Sequence, residues 1–170
     1  MGVALVEALA GARVGETYNQ YADSALRRER LAGYLESRRS ARFVLVGEAA
    51  GYRGARVSGL PFTSERQLTG SGPAEASATI VHRTLRELGL EEDVLLWNVV
   101  PTHPGTATSN RTPTRAEVEA ARRFLPPVTR GRQIVAVGRL AAAVTGAPYV
   151  RHPSHGGAAA FAAGLRRRLH

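Results

Sequence analysis

Cysteine is missing from this chain of 170 residues. Its absence excludes disulfides, thiolate zinc sites and Cys-ligated iron–sulfur clusters together. Lysine is missing too: the 23 Lys-plus-Arg positions are all Arg, against 14 Asp and Glu, giving a formal charge of +9. Without Lys there is no P-loop of the GxxxxGK[ST] form, and nucleoside triphosphate chemistry is not expected. No stretch approaches the roughly 20 apolar residues of a membrane span. The opening MGVALVEALAGARVG lacks the basic region of a signal peptide and has no Ser or Thr at the myristoylation position. The expectation is a cytoplasmic protein that makes no membrane contact.

What is present is ordinary for a globular chain: 44% hydrophobic and 22% charged residues. The length suits one domain over residues 1–170. The positive charge attracts polyanions, nucleic acid first among them, although Ala-, Gly- and Arg-rich composition from GC-rich coding produces the same excess.

Apolar runs alternate with helical patterns. Residues from about Tyr18 to Arg38 read as a helix, with Leu31, Tyr34 and Leu35 at i, i+3, i+4 spacing. Phe43 to Val46 is a short continuous apolar run, suited to a strand buried on both faces. A Gly-rich loop to about Gly72 follows, then a helix with Pro73 at its first position and Gly89 as its stop. Val94 to Trp97 is the second strand, and Thr114-x-x-Glu117 opens a helix with a capping box. Gln133 to Val137 and Pro148 to Arg151 read as the third and fourth strands, with an Ala-rich helix between them and a C-terminal helix behind. This alternation predicts a parallel sheet covered on both faces, an α/β fold.

Polar motifs follow the strands. Gly47, Gly51 and Gly54 follow the first; such glycines either cradle a ligand or simply turn the chain, and their spacing is not the GxGxxG fingerprint. Phe62, in the loop LPFTSE, either plugs the core or offers a face for stacking. Asn98 ends an apolar run, where its amide either caps a turn or presents an acceptor and donors to the edge of a pyrimidine. His152, in RHPSHGG, is either part of a tight turn or a donor to negative charge on a leaving group. His155 and His103 have no carboxylate at ligand spacing, so no metal is expected.

Taken jointly, GEAAGYRG, PF, WNVVPTHP, NRTPTRAEVEAARRFL and HPSHGG resemble the uracil-DNA glycosylase superfamily from about Arg42 to the C-terminus. The resemblance is nearest to the thermostable bacterial and archaeal branches, whose motifs look like GEAPG and NVVKCRPP. Those branches carry a cysteine-bound iron–sulfur cluster, which this chain, without cysteine, does not fit. The resemblance implies a three-layer α/β/α fold with a four-stranded parallel sheet in the order 2-1-3-4. It implies a metal- and cofactor-free DNA glycosylase, acting as a monomer, that flips a base from DNA and hydrolyses its N-glycosidic bond.

Residue by residue, the resemblance makes Phe62 the stacking aromatic and Asn98 the reader of uracil N3–H and O4. His152 becomes the donor toward O2, and Gly47 through Gly51, including Ala49, line the pocket. Ser154, His155 and Gly156 face DNA. Two positions depart from the best-known branch. Ala49 replaces an Asp that orients the attacking water, which leaves Glu48 as the adjacent carboxylate. Gly156 replaces a Leu wedge. Gly51 stands where that branch uses a Tyr against the thymine methyl, which implies a roomier pocket. A superfamily member that binds damaged or single-stranded DNA without turnover, and a hydrolase of free nucleosides, are the competing readings.

Overall fold

Short continuous apolar runs build the sheet. The computed structural model describes residues 2–169. Helices α1 (Gly2–Ala10) and α2 (Ala25–Ser37) precede strand β1 (Phe43–Ala49). Helices α3 (Ala55–Ser58), α4 (Glu65–Thr69) and α5 (Ala76–Glu87) lead into strand β2 (Val94–Val100). A short hairpin, β3 (Gly105–Thr106) and β4 (Ser109–Asn110), precedes α6 (Arg115–Ala121) and α7 (Pro126–Thr129). Strand β5 (Gln133–Val137), α8 (Arg139–Thr145), β6 (Tyr149–Val150) and α9 (Ala158–Arg168) complete the described chain.

The main sheet is four-stranded and parallel in the order β2-β1-β5-β6, as expected. Successive side chains point to opposite faces. Val44, Val46, Leu95, Trp97 and Ala136 enter one core cluster with α1, α2 and α6; Phe43, Leu45, Leu96, Val135 and Val137 enter the other with α5 and α9. Because both faces are covered, the strands read as continuous apolar runs. The β1–β2 crossover lies on the α5 face and the β2–β5 crossover on the α6 face. The chain thus changes sides at β1, which opens a crevice at the carboxyl ends of the strands.

Several boundaries differ from expectation for visible reasons. The helix expected from Tyr18 begins only at Ala25, because Ser24 accepts from the Arg27 N–H and caps it there. Tyr18 instead pairs with His103 as an isolated antiparallel bridge. Pro73 is not the first residue of α5: its carbonyl accepts from the Arg66 N–H, which holds it in the loop, and α5 starts at Ala76. The strand expected to stop at Trp97 runs on to Val100, placing Asn98 inside the sheet rather than at its end. Helix α1 and the β3–β4 hairpin had no counterpart in the sequence reading.

The capping box at Thr114 is present. Thr114 Oγ1 accepts from the Glu117 N–H at 3.2 Å, and Glu117 Oε2 accepts from the Thr114 N–H at 2.9 Å. Glu117 does more than cap. Its carboxylate is buried, takes both arms of the Arg111 guanidinium at 2.8 and 2.7 Å, and accepts from the Glu16 N–H at 3.3 Å. The Arg111 bonds are the main cause that pulls its pKa down to about 2, with the Thr114 and Glu16 N–H groups adding to them against burial. One carboxylate therefore ties the N-terminal segment, the loop before α6 and α6 itself together.

Replacing Glu117 with Gln leaves Arg111 unpaired and should lower unfolding free energy by roughly 2–4 kcal/mol. The folded carboxyl titrates below its ordinary value of 4.5, so its contribution is complete above that pH and is lost as pH falls toward about 2. Urea unfolding of wild type and Glu117→Gln across pH 2–7 checks both. Equal stabilities at neutral pH would remove Glu117 from this role.

Candidate active site

Gly47 and Asn98 are direct partners in the β1–β2 register. Strand alternation turns Asn98 to the face that carries Leu96 and α5, where Phe62 also packs. A Cβ at Gly47 would overlap the Phe62 ring and lie 2.9 Å from Asn98 Oδ1. Glycine at this position is what lets the aromatic ring and the amide approach the same stretch of backbone.

Phe62 plugs the α5-side core, one of the two readings its sequence context allowed, and it also borders the crevice. It is 8% exposed. Its backbone is left-handed, with φ of 51°. A non-glycine residue there costs on the order of 1–3 kcal/mol, and such strain concentrates at ligand sites. Ser58 Oγ donates to the Thr63 carbonyl at 2.6 Å, and Thr63 Oγ1 donates to the Pro61 carbonyl at 3.0 Å. With its own hydrogen committed, Thr63 Oγ1 accepts from His82 Nε2 at 3.0 Å. These bonds hold the strained turn on both sides of Phe62.

Asn98 is 4% exposed, and no hydrogen bond among the described residues engages its side-chain amide. A buried amide without a partner is costly unless a ligand or water supplies one. It lines the crevice, so its donor and acceptor remain free there.

His152 follows β6 and is half-buried. Its Nδ1 lies 3.1 Å from the Ser154 N–H and 2.7 Å from Ser154 Oγ. A backbone N–H can only donate, so Nδ1 accepts, and the neutral ring carries its hydrogen on Nε2. Burial, with a smaller contribution from neighbouring His155, lowers the pKa and keeps the ring neutral. The result is a neutral imidazole with a defined tautomer and a free Nε2–H donor.

These groups line one cavity of about 590 Å³, which also takes in Glu48, Ala49, Gly51, Ser154 and His155. Glu48 is half-buried, and burial raises its pKa. Gly47, expected to line the pocket, is not among its lining residues; it packs behind the Phe62 ring. Gly156 is an exposed left-handed residue at the turn, φ 75°, with open space where a side chain would project. His155 beside it is exposed with φ 50°, and the Ser154 hydroxyl turns inward onto His152. The HPSHGG segment is thus both a tight turn and a mount for the histidine.

Other lining residues were not legible in the sequence pattern, among them Glu75, Asn110, Arg111, Arg139, Tyr149 and Arg151. Glu75 stands just ahead of α5, where a carboxylate would usually cap, yet it makes no cap bond. Its Oε2 lies against Gly51 and Gly54, 2.6 Å from a Cβ built at Gly54 and closer still to one at Gly51. The room left by Gly51 is therefore occupied by a carboxyl group. His103 is buried behind the wall, with Nδ1 at 2.7 Å from the Ala50 carbonyl and Nε2 at 2.7 Å from the Thr106 carbonyl. Both ring nitrogens being engaged, it has none left for a metal. Among the described residues no group of three or more His, Cys, Asp or Glu side chains is arranged to hold a metal ion.

The family model described as the Uracil DNA glycosylase superfamily matches residues 35–164. The crystal structure of wild-type SMUG2 from Pedobacter heparinus is similar over 98% of this chain and 97% of that one, with a TM-score of 0.67 and 12% sequence identity. That likeness speaks for the fold. No curated protein matches the sequence.

Ser154→Ala removes one donor to His152 Nδ1. Hydrogen bonds to the neutral ring disfavour protonation, so the His152 resonance should titrate at higher pH in this variant than in wild type. An NMR titration in which the two curves coincide would sink the tautomer assignment.

Proposed function

Because this chain belongs to the uracil DNA glycosylase superfamily, we propose that it hydrolyses the N-glycosidic bond of uracil, or a related deaminated base, in DNA and leaves an abasic site. The observation that carries this reading is the convergence of Phe62, the unpartnered Asn98 amide and the Nε2–H of neutral His152 on one cavity. Phe62 stacks on the flipped base. The Asn98 amide accepts from N3–H and donates to O4, a pattern that cytosine presents reversed, so the wrong base leaves buried polar atoms unpaired.

The bond between C1′ and N1 breaks with its electron pair going to the base, and the charge spreads to O2. The His152 Nε2–H donates to that oxygen without transferring its proton. Removing one such preorganised donor typically costs about 2.7–4 kcal/mol. Water adds to C1′ and gives up a proton. Glu48 is the carboxylate assigned to hold that water, because burial raises its pKa toward the working range of a general base. Arg139 and Arg151 at the cavity mouth have no carboxylate partner among the described residues and suit DNA phosphates.

One observation favours a second reading, recognition without turnover: Ala49 brings only a methyl group to the wall. Binding to uracil-containing DNA without base release would identify it. The decisive experiment measures base release from labelled oligonucleotides carrying uracil unpaired, opposite guanine and opposite adenine. Wild type should release uracil, His152→Ala should be slower by roughly 10²–10³-fold, and Asn98→Ala should lose most of the activity. No release by wild type in any of the three settings would overturn the proposal.

A further inference from the structure

The last carbonyls of a helix have no partner within it. At the end of α3 three successive ones, those of Val57, Ser58 and Gly59, are each taken by a side chain from the N-terminal part of the chain. Arg27 Nε donates to the Val57 carbonyl at 2.9 Å, Arg30 Nη1 to Ser58 at 3.1 Å, and the Tyr21 hydroxyl to Gly59 at 2.9 Å. Tyr21, Arg27 and Arg30 all lie ahead of residue 35, outside the stretch on which membership of the superfamily rests.

Arg30 makes a second connection. Its guanidinium also donates to both Glu65 carboxylate oxygens, at 2.8 and 3.1 Å. Ser58 ends α3 and Glu65 opens α4. Between these two feet, residues 59–64 form the turn that carries Phe62 with its left-handed backbone. One planar group with five donors thus spans both ends of the turn. The Arg30 and Glu65 side chains are only 20% and 21% exposed, so solvent screens them less than an open surface pair.

Bonds inside the turn, from Ser58 Oγ to the Thr63 carbonyl and from the Leu60 N–H to Ser58 Oγ, fix its shape. They do not fix where it stands against β1. That depends on bonds to its surroundings: Arg30 of α2 at the feet, and His82 of α5 at Thr63. The Phe62 ring fills the space that a Cβ at Gly47 would take. Movement of the feet therefore changes how the face of the ring meets the crevice.

Resting on the reading of Phe62 as the aromatic that stacks on the flipped base, we infer that Arg30 is a positioning residue for that stacking. By bridging Ser58 and Glu65 it sets the Phe62 ring in place, and it touches neither the base nor the phosphates.

The test is a double-mutant cycle. Binding is measured for wild type, Arg30→Gln, Phe62→Leu and the double variant. Each is given an undamaged oligonucleotide and one carrying a non-hydrolysable 2′-fluoro-deoxyuridine. Phe62→Leu should cut the preference for the uracil oligonucleotide roughly five- to hundredfold, the scale of stacking one base on an aromatic ring. Arg30→Gln should cut it about three- to tenfold in the wild-type background, and less than about twofold where Phe62 is already Leu. Equal losses in the two backgrounds overturn the inference. So does an equal loss on undamaged DNA, which would make Arg30 a phosphate contact.

A second readout does not depend on DNA. Labelling with 4-fluorophenylalanine reports on the four Phe positions, and Phe62→Leu identifies the fluorine resonance of Phe62. Arg30→Gln, and Glu65→Ala at the other half of the bridge, should both shift or broaden that resonance and leave the other three in place. A Phe62 resonance unmoved in both variants, or all four moved together, overturns the inference. If wild type neither releases uracil nor prefers it, the glycosylase reading fails, and the resonance alone decides whether Arg30 positions Phe62.

Discussion

The site rests on one backbone position without a side chain. Gly47 is in register with Asn98 on β2, and the Phe62 ring fills the space that any Cβ at 47 would need. The other features follow from that contact. Phe62 reaches Gly47 only from a left-handed backbone, and that conformation persists because Ser58, Thr63 and His82 fix the turn around it. The Asn98 amide, in register with Gly47, lines the crevice without a hydrogen-bond partner among the described residues. A larger residue at 47 would push the ring off the wall and fill the crevice that the change of crossover side creates at the ends of the strands.

Cohesion around this crevice comes from polar pins. With no disulfide or cluster available, the N-terminal segment is held by buried hydrogen bonds of long sequence span. Tyr18 and His103 exchange backbone bonds at 2.9 Å, Thr17 and Thr102 share a hydroxyl bond at 2.6 Å, and Gln20 Nε2 donates to the Pro101 carbonyl at 2.8 Å. The Asn19 amide bridges to the carbonyls of Leu9 and Ala12, tying α1 to the same segment. His103 continues the series inward. Its Nδ1 lies 2.7 Å from the Ala50 carbonyl and its Nε2 2.7 Å from the Thr106 carbonyl. The pins converge on residues 101–103, directly behind the pocket wall, so the stability of the N-terminal segment and the shape of the site depend on the same few groups.

Sequence pattern revealed the parts of this structure that repeat or that act locally. The four strands follow from apolar runs covered on both faces, and the Thr114–Glu117 box follows from a spacing of three. Phe62, Asn98 and His152 stood out because each interrupts or ends such a pattern. The missing pieces depend on distance in space. Nothing in GPAEAS signals that Glu75 will lie on Gly51 and Gly54, twenty-odd residues earlier, because only the loop through α4 brings them together. The Tyr18 to Asp23 stretch had helical composition, yet the bridge to His103 took its backbone groups. Asn98 was read as a strand-end residue because its polarity breaks an apolar run; in the folded chain the run continues through Val99 and Val100, and the polar residue is buried in mid-strand.

The electrostatics of the cavity are consistent with an uncharged ligand that becomes anionic. A cationic residue deep in the pocket would bind anions from solution and compete with a neutral base. Here the deep donors are neutral: an amide at Asn98, and an imidazole whose burial and Ser154 bonds oppose protonation. Arg111, which also lines the cavity, is already matched by Glu117. Glu48 and Glu75 add two carboxyl groups whose pKa values burial raises. In the reaction proposed, charge that develops on the base would meet fixed dipoles, which stabilise it in proportion to its growth and favour the transition state over the ground state. Fully charged groups are left at the mouth, in Arg139 and Arg151, where solvent limits their reach into the site and phosphates, already anionic, are their natural partners.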